Sequence, residues 1–474
     1  MLKDIKRTKI VCTLGPATDK EEILRELVLN GLNVCRFNFS HGSHEEHKSR
    51  MDLVKKVRTE LDKPIAILLD TKGPEIRTGN FADPEVLLEE GQDFTITMEE
   101  VVGTKEICTV SYKELANDVK EGDVILIDDG LVGLRVKEVY GKDIYCKVEN
   151  SGIVKNHKGV NVPGVKINLP ALTDKDISDI EFGIAQGIDY IAASFVRKAS
   201  DVLAIREVLE KNNATHIQII SKIENHEGVE NIDEILNVSD GIMVARGDLG
   251  VEIPTEEIPI AQKMMIKKCN EAGKPVITAT QMLDSMMRNP RPTRAEVTDV
   301  ANAIYDGTDA IMLSGETAAG KYPIEAVKTM ATIAKRAEQT LDYDEMLKER
   351  KVTDVTVTNA ISHATCTTAV DLSASAIVTF TSSGHTARMV SKFRPKCPII
   401  ATTEDEGVMR RLALTWGVYP VKTSHAGSTD EIIDNSINSV KDMNYLKEGD
   451  LVVITAGVPV GVSGTTNLIK VHSI

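Results

Sequence analysis

Residues 217–248 have the sequence IQIISKIENHEGVENIDEILNVSDGIMVARGD, in which two apolar runs flank a segment of helical character. The runs at 217–224 and 241–248 are apolar on both faces of an extended chain and become polar only at their ends. This pattern is typical of parallel strands that are covered by helices. We therefore predict a strand, a helix and a second parallel strand over these residues.

The same rhythm of a short apolar run and a helical segment recurs in two blocks of the chain. The runs are residues 8–15, 33–40 and 65–71 in the first block and residues 189–195, 217–224, 241–248, 275–281 and 310–316 in the second. Eight such units predict a closed (β/α)8 TIM barrel in an α/β fold. A doubly wound open sheet is the alternative.

Two further domains are expected outside the eight units. The interruption after the third unit has no long helical period and many turn signals, which predicts a small all-β domain. Its position would place it as a lid over the C-terminal mouth of the barrel, although an insertion without function is the simpler alternative. The end of the chain repeats the strand–helix rhythm and predicts a C-terminal α/β domain. The expected boundaries are 1–71 and 169–341 for the barrel, 72–168 for the lid and 342–474 for the C-terminal domain.

The composition argues against several classes of protein. Lys and Arg number 56 against 71 Asp and Glu, and the net charge of −15 argues against a nucleic acid as the main partner. No apolar run approaches the ~18 residues of a membrane-spanning helix. The seven cysteines are scattered and form no CxxC pair, which argues against disulfides or structural zinc and favours the cytoplasm.

Polar residues follow the predicted barrel strands, at the end where TIM-barrel enzymes place their active sites. Glu224 and Asp248 end neighbouring strands, and two carboxylates among oxygen donors suit Mg²⁺ or Mn²⁺. Ion pairs with Lys222 and Arg246 are the alternative. Lys222 lies two residues before Glu224, on the same face of the strand, where it could stabilise a phosphoryl group during transfer.

Two other groups of residues suggest binding sites. One group offers oxygen ligands with a single carboxylate and contains Asn38, Ser40, Asp70 and Thr71. This composition suits a monovalent cation better than a divalent one, although hydrogen-bonded strand ends would look the same. In the other group, the backbone N–H groups of Gly247 and Asp248 open a glycine-rich segment and could hold a carboxylate, whereas a tight turn is the more common explanation.

Nine blocks of the sequence resemble the signature blocks of the pyruvate kinase family. They are TKIVCTLGPAT, NVCRFNFSHG, LLDTKGPEIRTG, KGVNVPG, ISKIENHEG, MVARGDLGVEIP, ITATQMLDSM, RPTRAEVTDVANAI and MLSGETAAGKYP. The resemblance runs from Thr8 to Ile474 and is to the bacterial type without an additional C-terminal extension. It implies a barrel, a lid, a C-terminal regulatory domain and a homotetramer. It also implies transfer of the phosphoryl group of phosphoenolpyruvate to ADP, which yields pyruvate and ATP.

The resemblance implies roles for individual residues. The residues implied to bind Mg²⁺ are Glu224 and Asp248, and those implied to bind K⁺ are Asn38, Ser40, Asp70 and Thr71. The residues implied to contact the phosphoryl group are Arg36 and Lys222, and those implied to hold the substrate carboxylate are Gly247, Asp248 and Thr280. The residues implied to bind the nucleotide are Asn38, Arg77 and Lys158, and those implied to line the path of enolate protonation are Thr280, Ser314 and Glu316.

The resemblance extends to two regulatory features. K⁺-dependent members of the family carry an acidic residue at the position of Glu75, and Thr71, Lys72 and Thr78 fit the same pattern. A phosphorylated effector is implied at the residues Thr381, Ser382, Ser383, Gly384, His385 and Thr386, with the segment 455–467 as the partner loop. Residues 424–439 contain no Arg or Lys, so we expect a monophosphate rather than a bisphosphate to activate the protein. Ordinary N-capping by Ser and Thr is the alternative for this loop.

Two other functions remain open at this point. A metal-dependent C–C lyase acting on pyruvate-type substrates would share Glu224 and Asp248 but would need neither Arg77 nor Lys158. A catalytically silent metabolite sensor would have lost Lys222 or one of the two metal carboxylates, and the sequence retains all three.

Overall fold

The computed structural model describes residues 5–350, 352, 354–425, 427–442, 446–459 and 464–474. The chain begins with β1 (Lys9–Thr13), α1 (Glu21–Leu29), β2 (Val34–Asn38), α2 (His44–Glu60) and β3 (Ala66–Asp70). The three strands pair in parallel, and every residue of β1 and β3 is buried, as their continuous apolar runs predict.

The segment after β3 forms the predicted all-β lid. Its elements are β4 (Ile76–Arg77), β5 (Val86–Leu88), β6 (Asp93–Thr97), β7 (Ile107–Thr109), α3 (Leu115–Asp118), β8 (Val124–Ile127), β9 (Val132–Tyr140), β10 (Asp143–Val148), β11 (Gly152–Val154) and β12 (Gly159–Asn161). Seven strands pair in the order β4-β12-β8-β9-β10-β6-β7, and β11 pairs with β5. Apolar side chains such as Phe94, Ile125 and Leu134 form a buried core that belongs to the lid alone.

The chain then returns to complete the barrel. The elements are α4 (Asp174–Ala185), β13 (Tyr190–Ala193), α5 (Ala199–Lys211), β14 (Gln218–Ile223), α6 (His226–Glu230), α7 (Ile232–Val238), β15 (Gly241–Ala245), α8 (Arg246–Glu252), α9 (Ile258–Ala272), β16 (Val276–Ala279), α10 (Arg294–Asp306), β17 (Ala310–Leu313), α11 (Gly315–Ala318) and α12 (Pro323–Glu338). Eight strands close in the order β1-β17-β16-β15-β14-β13-β3-β2. The parallel pairing of β1 with β17, which sets Ile10 opposite Ile311, confirms the barrel and excludes the open sheet.

The last part of the chain packs against the N-terminal end of the barrel. Its elements are α13 (Tyr343–Glu349), α14 (Val357–Asp371), β18 (Ala376–Phe380), α15 (His385–Ser391), β19 (Ile399–Thr403), α16 (Glu406–Leu412), β20 (Val418–Lys422), α17 (Thr429–Asp442), β21 (Leu451–Gly457) and β22 (Thr466–Ser473). The sheet order is β20-β19-β18-β21-β22, and only the edge strand β22 is antiparallel. The predicted α/β class is confirmed, whereas the boundaries between the three domains stay predictions. Within the described ranges, no helix is long and apolar enough to cross a membrane.

A repeated side-chain contact fixes the N-terminal end of the barrel. An Asn or Asp just before each of β2, β13, β15 and β17 accepts a backbone N–H near the start of the barrel strand that comes before it in the chain, which is β1, β3, β14 or β16. These residues are Asn33, Asp189, Asp240 and Asp309. Arginines of the C-terminal domain reach two of them. Arg410 Nε lies 2.8 Å from Asp189, and Arg394 Nη1 lies 2.9 Å from Asp309. Two ion pairs, of which Arg394–Asp309 is buried and Arg410–Asp189 partly buried, therefore join the C-terminal domain to opposite sides of the barrel.

Candidate active site

Asp70, the last residue of β3, lies at the centre of a buried polar cluster at the opposite end of the barrel. Its carboxylate is 2.6 Å from Arg36 Nε on β2 and 3.2 Å from Lys222 Nζ on β14. Ser194 Oγ, which follows β13, lies 3.2 Å from the same carboxylate. Burial opposes ionisation of Asp70, but Arg36 and Lys222 outweigh it and hold the pKa of this carboxyl below its usual range. Asp70 thus holds two cations at fixed positions.

Lys222 is surrounded by acceptors on three sides. Its Nζ lies 2.8 Å from Glu224 Oε1 and 2.8 Å from Ser194 Oγ, in addition to its contact with Asp70. Burial favours the neutral amine, but the carboxylates of Asp70 and Glu224 outweigh burial and raise the pKa of Lys222. The two carboxylates therefore favour the charged form of the Lys222 side chain.

Glu224 and Asp248, which are predicted to bind a divalent metal ion, lie close enough for their charges to interact. Glu224 Oε2 accepts a 2.6 Å hydrogen bond from the backbone N–H of Phe195. Burial raises the pKa of Glu224, and Asp248 lies close enough to raise it further. Asp248, in the first turn of α8, faces the cleft and makes no hydrogen bond or ion pair within the described ranges. Lys222 balances the charge of Glu224, whereas Asp248 has no cationic partner among the described residues, and a bound cation would supply that missing charge.

The alternative of two ion pairs is only half right. Lys222 does pair with Glu224, but Arg246 turns away from Asp248 and lies 2.6 Å from Asp299. Across the described part of the chain, no group of three or more His, Cys, Asp and Glu residues forms a complete metal site. Two carboxylates without further ligands of this kind fit Mg²⁺, which retains water and substrate oxygens in its coordination shell.

The predicted monovalent-cation ligands lie together at the ends of β2 and β3. Asn38 and Asp70 are opposite each other in the strand register. The Asn38 side-chain oxygen accepts a 3.1 Å hydrogen bond from the Ser40 N–H. Ser194 Oγ donates a 2.6 Å hydrogen bond to the Thr71 carbonyl, and its N–H donates to Thr71 Oγ1 at 3.1 Å. The four residues lie close together and offer oxygen ligands, the type that coordinates K⁺ in proteins.

Gly247 and Thr280, which are predicted to bind the substrate carboxylate, are hydrogen-bonded to each other in the structure. Thr280 has φ 66°, and its hydroxyl donates to the Ala279 carbonyl at 2.7 Å. The same oxygen accepts the Gly247 N–H at 2.7 Å, so that amide already has a partner. A non-glycine residue at positive φ is strained and persists only where its surroundings fix it. The structure thus brings Gly247 and Thr280 together, with the hydroxyl in place between them.

The Glu316 side chain connects two loops and is not among the residues that line the cleft between the lid and the barrel. Its buried carboxylate accepts the backbone N–H of Leu283 at 3.0 Å and of Ser314 at 2.7 Å. Burial raises the pKa of this carboxyl. Glu316 therefore joins the segments that follow β16 and β17, and it positions Ser314 at the barrel mouth.

A cleft of about 650 Å³ separates the lid from the barrel mouth. Among the residues that line it are Glu75, Arg77, Asp128, Lys158, Phe195 and Asp248. On the lid side, Arg77 pairs with Glu75 at 2.6 Å and Lys158 pairs with Asp128 at 2.9 Å. Arg36, Lys222 and Glu224 are not among the lining residues, whereas Phe195, whose backbone N–H binds Glu224, is one of them. The lid therefore contributes two cations, Arg77 and Lys158, to the cleft that Asp248 also lines.

The predicted effector residues lie in the C-terminal domain, in the loop after β18 and in the first two residues of α15. Thr381 Oγ1 accepts the Gly384 N–H at 2.8 Å, and Thr386 Oγ1 is 2.9 Å from Thr466 Oγ1. The N-cap of α15 is Gly384, which has φ 84°, and no side chain in the described part of the chain caps this helix. The Ser and Thr hydroxyls of the loop therefore do not serve as N-caps. Ser382 is exposed, and Ser383 and His385 are partly exposed. In the partner loop, residues 460–463 lie outside the described ranges.

Sequence reasoning missed three residues that hold the site together. They are Ser194, which contacts Asp70, Thr71 and Lys222; Thr13, which accepts from Arg36 Nη1 at 2.9 Å; and Asp128, which pairs with Lys158. Ser194 and Thr13 were recognisable, because each stands at the end of a predicted barrel strand. Asp128 belongs to a turn of the lid, and its sequence carries no signal beyond that turn.

The chain matches two family models along its length. One is described as "Pyruvate kinase, barrel domain" and matches residues 5–327, and the other as "Pyruvate kinase, alpha/beta domain" and matches residues 359–472. A curated protein named "Pyruvate kinase" from Clostridium acetobutylicum is 59% identical over 470 residues, which are 99% of each chain. Relatives of the same name from Geobacillus stearothermophilus and Sporosarcina psychrophila are 59% and 56% identical over 99% of this chain and 80% and 81% of theirs.

Proposed function

The chain belongs to the pyruvate kinase family, and from this premise we propose that its barrel mouth transfers the phosphoryl group of phosphoenolpyruvate to ADP in the last step of glycolysis. The observation that carries the proposal is the placement of Arg36 and Lys222 around Asp70, beside the carboxylates of Glu224 and Asp248. The products are pyruvate and ATP. A homotetramer is proposed as the working assembly, on the resemblance alone.

Phosphoryl transfer between two polyanions depends mainly on positioned positive charge. Arg36 and Lys222 would contact the phosphoryl group as it leaves phosphoenolpyruvate. Arg77 and Lys158 would contact the nucleotide phosphates from the lid, and Asn38 would contact them from the barrel. Closure of the lid would exclude water, which limits wasteful hydrolysis.

The proposed cofactors are Mg²⁺ (or Mn²⁺) and K⁺, which would neutralise phosphate charge when bound. The proposed ligands are Glu224 and Asp248 for the divalent ion and Asn38, Ser40, Asp70 and Thr71 for K⁺. The partnerless Asp248 carboxylate supports the first site. The adjacent oxygen donors at the ends of β2 and β3 support the second.

The enolate that remains must gain a proton at its methylene carbon. We propose that water held by Thr280 and Ser314 delivers this proton. Thr280 and the amides of Gly247 and Asp248 would hold the substrate carboxylate, with the Gly247 N–H exchanging its bond to Thr280 for one to substrate. Glu316 would act by positioning Ser314.

A coupled assay tests the function as a whole. The purified protein is incubated with phosphoenolpyruvate, ADP, Mg²⁺ and K⁺, and pyruvate is followed with lactate dehydrogenase and NADH. We expect pyruvate to form in step with ATP. Formation of pyruvate without ATP would contradict the proposal, and so would the absence of turnover in a folded preparation. Cleavage of a C–C bond in pyruvate-type substrates would favour a lyase instead.

We expect turnover to depend on K⁺. Glu75 is the acidic residue that K⁺-dependent members of the family carry, and its carboxylate pairs with Arg77 at 2.6 Å. Less of the Arg77 charge is then left for the substrates, and K⁺ would supply the deficit. Activity should therefore fall by at least ~10-fold when tetramethylammonium replaces K⁺, the scale expected when one charge contact worth about 1.4 kcal/mol is lost. Glu75→Lys should partly relieve the requirement, and the same change at the exposed lid residue Glu89 should not. Full activity of the wild type without K⁺ would contradict this prediction.

We also propose activation by a phosphorylated metabolite at the loop that begins with Thr381. A sugar monophosphate or AMP should lower the half-saturating phosphoenolpyruvate concentration several-fold with little change in kcat, because it shifts a two-state assembly. Thr386→Glu places a carboxylate where the phosphate would lie and should abolish activation without changing the unactivated rate. Titration of each candidate at subsaturating phosphoenolpyruvate decides the point. Activation by fructose 1,6-bisphosphate alone, or unchanged activation in the variant, would contradict the prediction.

A further inference from the structure

One hydrogen bond joins the lid sheet directly to the barrel. Asn161 Nδ2, at the end of β12, donates to Glu252 Oε1, at the end of α8, at 2.7 Å. In the described part of the chain, no other side-chain hydrogen bond or ion pair connects residues 75–164 to the barrel. We propose that this bond is a latch that sets the position of the lid for catalysis, and that Asn161 and Glu252 are positioning residues for phosphoryl transfer.

The two points where the chain enters and leaves the lid are fixed to the barrel. The Gly73 N–H donates to Asp176 Oδ1 at 2.9 Å where the chain enters. Arg197 donates to the carbonyls of Ile167 and Leu169, each at 2.7 Å, where the chain returns. Two anchors of this kind define an axis about which the lid can turn but do not fix its angle. A third contact away from that axis does, and Asn161–Glu252 is such a contact.

The latch is connected to the proposed metal site through α8. Asp248 and Glu252 are one helical turn apart, so they lie on the same face of this helix. Burial raises the pKa of Glu252, the Asn161 hydrogen bond lowers it, and the Asp248 carboxylate raises it again. When the lid turns away, Glu252 loses its amide donor while its acidic neighbour remains. Seating of the lid therefore stabilises the C-terminal end of α8, the helix that carries Asp248 in its first turn.

The latch also fixes the nucleotide side of the cleft. Lys158 precedes β12 by one residue and lies three residues from Asn161, a distance of ~10 Å along an extended chain. Fixing Asn161 therefore fixes Lys158 relative to Asp248. This step rests on the proposed function, in which Lys158 contacts the phosphates of ADP, so the latch should act mainly on binding of the nucleotide.

A charge exchange tests the latch. Asn161→Asp sets two carboxylates against each other and should raise KM for ADP at least ~10-fold, with a smaller change in kcat. Glu252→Gln retains an acceptor for Asn161 and should change KM by less than ~3-fold. The double variant N161D/E252Q restores one amide and one carboxylate, so KM should return to within ~3-fold of the wild type.

A matched control and a second readout separate the latch from a general effect on the lid. Asn117 pairs with Glu114 on the exposed surface of the lid, and Asn117→Asp should leave KM for ADP unchanged. Hydrogen exchange of residues 159–161 and 246–252 should rise in N161D and return to the wild-type rate in the double variant. This readout requires no turnover, so it tests the latch even if the wild type fails to convert phosphoenolpyruvate. Wild-type KM and exchange in N161D, or a folded double variant no better than N161D, would overturn the proposal.

Discussion

Replacing Lys222 by methionine should lower kcat by at least ~10²–10³, the scale on which loss of one preorganised electrostatic group slows an enzyme. The side chain is a buried cation within 3.2 Å of Asp70 and 2.8 Å of Glu224, and those carboxylates raise its pKa. Methionine keeps the length of the apolar stem but removes the charge that would stabilise the moving phosphoryl group. Steady-state kinetics at saturating phosphoenolpyruvate and ADP measure this loss.

The same substitution at Lys175 provides the control. Lys175 lies at the rim of the barrel mouth, where it donates to the Phe39 carbonyl at 2.9 Å and to Asp179 at 2.6 Å. Lys175→Met should leave kcat within ~3-fold of the wild type. Mn²⁺ binding, followed by electron paramagnetic resonance, should persist in Lys222→Met. Turnover at the wild-type rate in that variant would refute the role assigned to Lys222.

Asp70→Asn should reduce kcat/KM for phosphoenolpyruvate by at least ~10², the scale of one lost electrostatic contact in an active site. The carboxylate lies between Arg36 and Lys222 and contributes one negative charge to them, which an amide would remove. Breaking a buried ion pair by removing one partner destabilises a protein by about 3–5 kcal/mol, so the thermal midpoint should also fall. Kinetics and a thermal melt of the same preparation measure both effects.

The structure offers a second buried Arg–Asp pair with which to separate the two effects. Asp309 pairs with Arg394 at the N-terminal end of the barrel, remote from the cleft. Asp309→Asn should lower the thermal midpoint comparably while retaining kcat/KM within ~5-fold. If both variants lose stability and activity in the same proportion, Asp70 has only a structural role and the electrostatic argument fails.

The sequence was sufficient to predict the barrel because its signal is local. Strands such as β14 and β15 are buried on both faces, and the hydrophobic pattern of a few residues records that environment, although the predicted run 241–248 ends as a strand at Ala245 and continues as α8. Closure of the sheet depends instead on β1 meeting β17, about 300 residues away. The sequence indicated closure only through the number of units, and the strand register established it.

The ends of the strands separate what the sequence determined from what the tertiary structure decided. Asp70, Lys222 and Asp248 each lie at or near the C-terminal end of a barrel strand. In a parallel barrel these ends lie on one face, so the proximity of the three residues was predictable from the sequence. The choice of partners was not, because a side chain bonds to whichever group lies within about 3 Å after folding. Arg246, for which the sequence suggested Asp248 as an alternative partner, therefore pairs with Asp299 in the folded protein. Asn161 met Glu252 across 91 residues, in a contact that only the packed lid and barrel create.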